Sequence, residues 1–101
     1  MFKDLTKVQI NSERNVTLAI RINDNHVHNL VFTIQTFTHI MRKDINSWYG
    51  PIHSRNWYLQ KFSDRVKLFS ESYEYIYRFT LEEWNTVVQQ YIAALRKNNL
   101  A

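Results

Sequence analysis

The stretch SYEYIYRFTLEEW, Ser72 to Trp84, changes its pattern once, at Thr80. Before that residue Tyr73, Tyr75, Tyr77 and Phe79 alternate with Glu74, Ile76 and Arg78. Side chains of an extended chain point to opposite faces with period two, and aromatic rings suit a pleated surface, so the spacing predicts a strand over Tyr73–Phe79. From Thr80 the period becomes helical. Trp84, Val87, Val88, Tyr91, Ala94 and Leu95 recur every three or four residues and make one apolar stripe. Thr80 and Glu83 have the spacing of a capping box, in which the Thr oxygen accepts an amide of the first turn and the Glu reaches back. Glu82 and Glu83 suit the positive end of the helix dipole, Arg96 and Lys97 the negative end, and Asn98-Asn99 a stop.

Working outward, Trp57–Phe62 and Arg65–Phe69 read as two further short strands, with turns at Ser63-Asp64 and Ser70-Glu71-Ser72. Together with the aromatic strand they predict an antiparallel meander. Ile52–Asn56 reads as a loop. Upstream, Phe37, Ile40, Met41, Ile45 and Trp48 make a stripe that predicts a helix over Gln35–Tyr49, stopped by Gly50-Pro51. Earlier still, Val16, Leu18, Ile20 and Ile22 alternate as a strand, followed by turn chemistry at Asn23-Asp24-Asn25. His26–Ile34 fits either the return strand of a hairpin or a helix through Val27, Leu30, Val31 and Ile34; its Thr and Val content favours the strand. Residues 1–10 fit a short helix or a strand. The expected fold is a small α+β single domain over residues 1–101. It has an antiparallel sheet, from an N-terminal hairpin plus a three-strand meander, and two helices, the second C-terminal.

Composition narrows the chemistry. Thirteen Lys and Arg against nine Asp and Glu leave a formal charge of +4, which favours an acidic partner such as nucleic acid. Cysteine is absent, so a disulfide framework and a thiolate zinc site are excluded, and a reducing cytoplasm is the expected location. Neither a signal-peptide core nor an apolar run of the roughly 20 residues needed to span a membrane is present. His26 and His28 share one side of a strand, as metal ligands do, yet no third ligand stands at a recognised spacing, and no metal or cofactor is expected. His39 and His53 are isolated. Glu82 and Glu83 are neighbours on a helix and do not face each other. No catalytic residue is assigned, and the protein is expected not to be an enzyme.

Two surfaces remain. The meander interleaves rings with cations: Tyr58, Phe62, Arg65, Lys67, Phe69, Tyr73, Tyr75 and Tyr77 fall on one predicted face, with Lys61 and Arg78 opposite. Rings stack on bases and cations follow phosphates, so Tyr58, Arg65, Lys67, Tyr73 and Tyr75 are candidates for binding single-stranded nucleic acid without sequence readout. The competing arrangement packs Tyr73, Tyr75, Tyr77 and Phe79 beneath the helices, the commoner fate of large aromatics. The second surface is the Gly50-Pro51 loop, bracketed by Trp48-Tyr49 and Trp57-Tyr58, with His53 and Arg55 between them. Trp, Tyr and Arg are enriched where proteins meet, so these residues predict a protein partner, with an inhibitor or adaptor role, a format common among small proteins of mobile elements. A third and weaker reading is a small ribonuclease-like toxin using His and Arg. The density of apolar residues also predicts a homodimer, through a sheet edge or a helix.

Phe79-Thr80-Leu81-Glu82-Glu83-Trp84, with Val88, resembles the strand-to-helix junction of a family of single-stranded-DNA-binding coactivators, over about a fifth of the chain. The Gly- and Lys-rich strand loops of that family are missing here. The order helix, three strands, helix also resembles double-stranded-RNA-binding domains, but Glu82-Glu83 stands where their helix begins with lysines. The chain is assigned to neither.

Overall fold

The computed structural model describes residues 7–23, 25–42, 46–52 and 55–100. Along these the chain forms β1 (Lys7–Ile10), β2 (Asn15–Asn23), β3 (His26–Thr33), α1 (Ile34–Met41), β4 (Ser47–Tyr49), β5 (Trp57–Lys61), β6 (Arg65–Ser70), β7 (Ile76–Thr80) and α2 (Leu81–Lys97). The strands make two antiparallel sheets, ordered β1-β2-β3 and β4-β5-β6-β7. The α+β class, the hairpin, the meander and the C-terminal position of the second helix are all found. The hairpin and the meander lie in separate sheets, and each gains a strand at its N-terminal edge: β1 beside β2, and β4 beside β5.

In the first sheet, pairing of Val16 with Phe32 and of Leu18 with Leu30, with Val8 opposite Leu18, puts every large apolar residue of that row on one face. All five are buried. The strand that Thr and Val content favours for His26–Ile34 is found over His26–Thr33, and its register fills the core, since a slip of one residue would turn the whole set to water. In the second sheet the inward row is Tyr49, Trp57, Leu59, Val66, Leu68 and Phe79, also buried.

The helices close the core. Tyr91 of α2 lies 4.8 Å from Phe37 of α1, ring to ring, and its hydroxyl is 2.7 Å from Thr38 Oγ1. Trp84 packs on Phe79 at 5.5 Å. At the other flank the Val8 amide donates to Gln90 Oε1 at 2.8 Å, joining β1 to α2. Among the described residues no helix is long and apolar enough to cross a membrane.

Two boundaries depart from expectation. The helix expected over Gln35–Tyr49 ends at Met41, because Arg42 is extended, with φ −68° and ψ 152°. Ser47, Trp48 and Tyr49 instead pair with Leu59, Tyr58 and Trp57. Aromatic residues gain more from cross-strand neighbours than from a helix turn, which competes with the three- and four-residue spacing that suggested a stripe. Ile45, part of that stripe, lies outside the described residues. The last strand begins at Ile76 and not at Tyr73, since Tyr73 occupies the left-handed region with φ 61°.

The junction at Thr80 is as the spacing predicts. Glu83 N–H donates to Thr80 Oγ1 at 3.0 Å, and Thr80 N–H donates to Glu83 Oε1 at 2.7 Å. Thr80→Ala should therefore lower stability by about 0.5–2 kcal/mol, read as a shift of the urea midpoint at constant slope. An unchanged midpoint would mean that water caps α2 equally well.

Candidate nucleic-acid interface

The face of the second sheet turned away from the core follows directly from its register. Across the strands one row reads Trp48, Tyr58, Phe69, Ile76, and the next reads Gln60, Lys67, Arg78. Arg65 stands opposite Thr80 in the row beyond. The first row is a continuous aromatic cluster: Trp48 to Tyr58 is 4.8 Å between ring centroids and Tyr58 to Phe69 is 5.3 Å. Tyr73, from the turn after β6, stacks on Phe69 at 5.3 Å with the rings 12° from parallel.

Phe69 is only 7% exposed although it lies outside the main core, because these neighbours roof it over. The outer members of the cluster remain open, Trp48 at 46% and Tyr73 at 63%. They are two of the four exposed large apolar residues among those described; the others are Val27 and Leu81.

Cations border the rings. Lys67 Nζ lies 5.1 Å from the Phe69 ring centroid, and the Arg65 guanidinium 4.1 Å from Phe62. Arg65 also pairs with Asp64 at 2.8 Å, both of them exposed. Lys67 and Arg78 are direct cross-strand partners. No acidic residue occurs in any of the four strands of this sheet. The nearby carboxylates, Glu71 and Glu74, line a pocket of about 120 Å³ with His28, Trp57 and Tyr75.

The expected nucleic-acid set thus divides. Tyr58, Arg65, Lys67 and Tyr73 do share one face, and Arg78, expected on the opposite face, joins them. Tyr75 does not. Its ring sits 4.6 Å from His28 and stacks near Trp57 at 6.1 Å, on the core side. Tyr77 likewise stacks on Trp57, 5.9 Å away and 6° from parallel. The left-handed Tyr73 breaks the alternation, sending Tyr73 outward and Tyr75 and Tyr77 inward; period-two counting across Tyr73–Phe79 misses this. Lys61 is on the inner face as expected, where its ammonium donates to the Arg42 carbonyl and lies 5.9 Å from the Trp84 ring.

The loop surface expected for a protein partner does not assemble as one patch. Trp48 faces outward, Tyr49 and Trp57 are buried at 6% and 2% exposure, and Arg55 is exposed at the rim of the small pocket. His53 lies outside the described residues. Trp48 instead belongs to the outer aromatic cluster, a membership hidden from sequence by its assignment to a helix.

Two other places can be weighed chemically. The larger hollow, about 640 Å³ between β1 and α2, is walled by residues such as Val8, Ile10, Gln90 and Ala94, and its described lining holds no ring, imidazole or carboxylate. Among the described residues no group of three or more His, Cys, Asp or Glu could hold a metal ion. His28 instead bridges the sheets, its Nδ1 2.7 Å from the Tyr77 hydroxyl. Burial, the neighbouring His26 and, in the opposite sense, Glu74 leave the His28 pKa below its ordinary value of 6.5. Burial, with Tyr75 beside it, pushes the Tyr77 phenol up to about 12, so it stays neutral.

Because folded His28 releases its proton more readily than unfolded His28, the unfolded chain holds more protons between the two pKa values. Stability therefore rises with pH through that window, and beneath it the His28 contribution is lost and flat. Urea midpoints should be lower at about pH 5 than at about pH 7.5, and His28→Gln should shrink that difference. An identical pH dependence in the variant would assign the effect to other groups. Comparison with protein-family models, with curated proteins and with solved structures finds no match to this chain.

Proposed function

We propose that this protein binds single-stranded nucleic acid on the outer face of its second sheet, as an accessory protein without catalytic activity and without reading sequence. The observation that carries this is the direct pairing of Lys67 with Arg78, beside a row of rings, in a sheet whose strands contain no carboxylate. Like charges opposite each other on a sheet are destabilising. An anion lying across them relieves that repulsion, and a phosphate chain supplies one at every nucleotide. The adjacent rings supply the second requirement, since base stacking on an aromatic side chain is tolerant of sequence.

Strandedness follows from the same face. Trp48 and Tyr73 offer ring surface, which only unpaired bases can meet. The core-facing rings take no part: Tyr75 and Tyr77 belong to the packing between the sheets.

Replacing Lys67 and Arg78 together by Ala should weaken binding of a single-stranded oligonucleotide. It should also flatten the slope of log affinity against log salt by about 1.4, at roughly 0.7 per phosphate contact on single strands. Removing the same charge from Arg96 and Lys97, at the far end of α2, should leave that slope unchanged. Titration by fluorescence anisotropy at several salt concentrations measures both. No binding to DNA or RNA at low salt would end this reading; equal loss in both double variants would reduce it to an effect of net charge.

A further inference from the structure

We infer that the outer face is a short site, about three nucleotides long, whose strand crosses the β-strands and does not run along them. This rests on the nucleic-acid reading above and adds its dimension and direction. Trp48 and Tyr73 are the two open rings, and both lie against the same residue, Phe69, at 6.0 and 5.3 Å. Their centroids are therefore no further apart than those two distances end to end, and because the Trp48 ring stands 77° from the Phe69 plane and the Tyr73 ring only 12°, each open ring seats its own base, leaving room for about one nucleotide between them.

Direction comes from the strand order. The aromatic row visits β4, β5 and β6 in turn, so it runs perpendicular to the strands. Lys67 and Arg78 stand in the adjoining row, two residues back along β6 and two further along β7. At about 3.3 Å of rise per residue the two rows are roughly 7 Å apart. That is the offset between the bases of a strand and its backbone, so bases that follow the aromatic row toward β6 carry their phosphates toward Lys67, whose ammonium lies 5.1 Å from the Phe69 ring, and then Arg78. Arg65, already bound to Asp64, lies one row beyond this track.

The test is a length series of unlabelled oligothymidylates, from mononucleotide to octanucleotide, competing with a labelled strand. Affinity should tighten by roughly tenfold per nucleotide up to the trimer. Beyond it, affinity should grow only with the number of registers available. Trp48→Ala and Tyr73→Ala should each shorten the steep phase by one nucleotide without altering the salt slope. Trp48→Tyr should retain it, and thermal melts confirm folding of all three. A steep gain that continues to the octamer would overturn the short site while leaving nucleic-acid binding in place. So would unchanged length dependence in the ring variants, or tighter binding of a matched duplex. Failure of every length to compete for a labelled strand that does bind would also overturn it, and a labelled strand that never binds would instead remove the reading beneath it.

Discussion

Ser70 accepts a hydrogen bond at its hydroxyl from the Tyr75 amide at 3.1 Å, and donates its own amide to the Tyr75 carbonyl at 2.9 Å. The Tyr73 amide closes the same turn onto the Ser70 carbonyl at 2.9 Å. Buried at the end of β6, Ser70 thereby holds Tyr73 in its left-handed conformation, a position that costs a bulky residue energy unless its surroundings impose it. The distribution of aromatic rings depends on this turn. With Tyr73 left-handed, one tyrosine roofs Phe69 outside, and the next two enter the space between the sheets, where Trp57 and His28 receive them. Were the strand to run unbroken from Tyr73, the tyrosines would share a face and either the cluster outside or the packing inside would be lost.

The sequence was legible wherever one residue type had one structural use. Thr80 and Glu83 announce a helix start through side-chain chemistry that needs no tertiary partner, and the helix starts there. Val16, Leu18 and Ile20 announce a strand by alternation, whereas Leu30 and Phe32 fit a helix as well, and it is their pairing with Leu18 and Val16 that makes them strand. It was less legible at Trp48 and Tyr75. An aromatic residue serves a helix stripe, a sheet face or a surface cluster equally well, and which it serves depends on residues brought beside it by folding: Tyr58 for Trp48, His28 for Tyr75. The facing of Arg78 was lost for a related reason. It was counted from the start of an aromatic run that the Ser70 turn interrupts, although its pairing with Lys67 is set by the β6–β7 register.

The two sides of the second sheet are held together by β6. Val66 and Leu68 are buried in the core, while Arg65, Lys67 and Phe69 alternate with them on the outside. The rings and cations of the outer face therefore stand on a strand fixed by the core, flanked on both sides by partners. A platform of this kind is ordered before any ligand arrives, which spares binding the cost of ordering it. Its strands carry no acidic residue; of the neighbouring carboxylates, Glu71 and Glu74 line the pocket near His28, and Asp64 pairs with Arg65.

The bond from the Val8 amide to Gln90 Oε1 spans 82 positions of the chain. Few contacts are more distant in sequence within a protein this size, and closing so long a loop is entropically costly until other structure has brought the ends near. The second sheet and α2 are contiguous in sequence and can assemble from neighbouring segments. Docking of β1 onto α2 must wait until both ends are in place. During synthesis this makes the first sheet the part that remains without its helix until the ribosome has passed Gln90, so the fold closes only once α2 has been made rather than by gradual accretion.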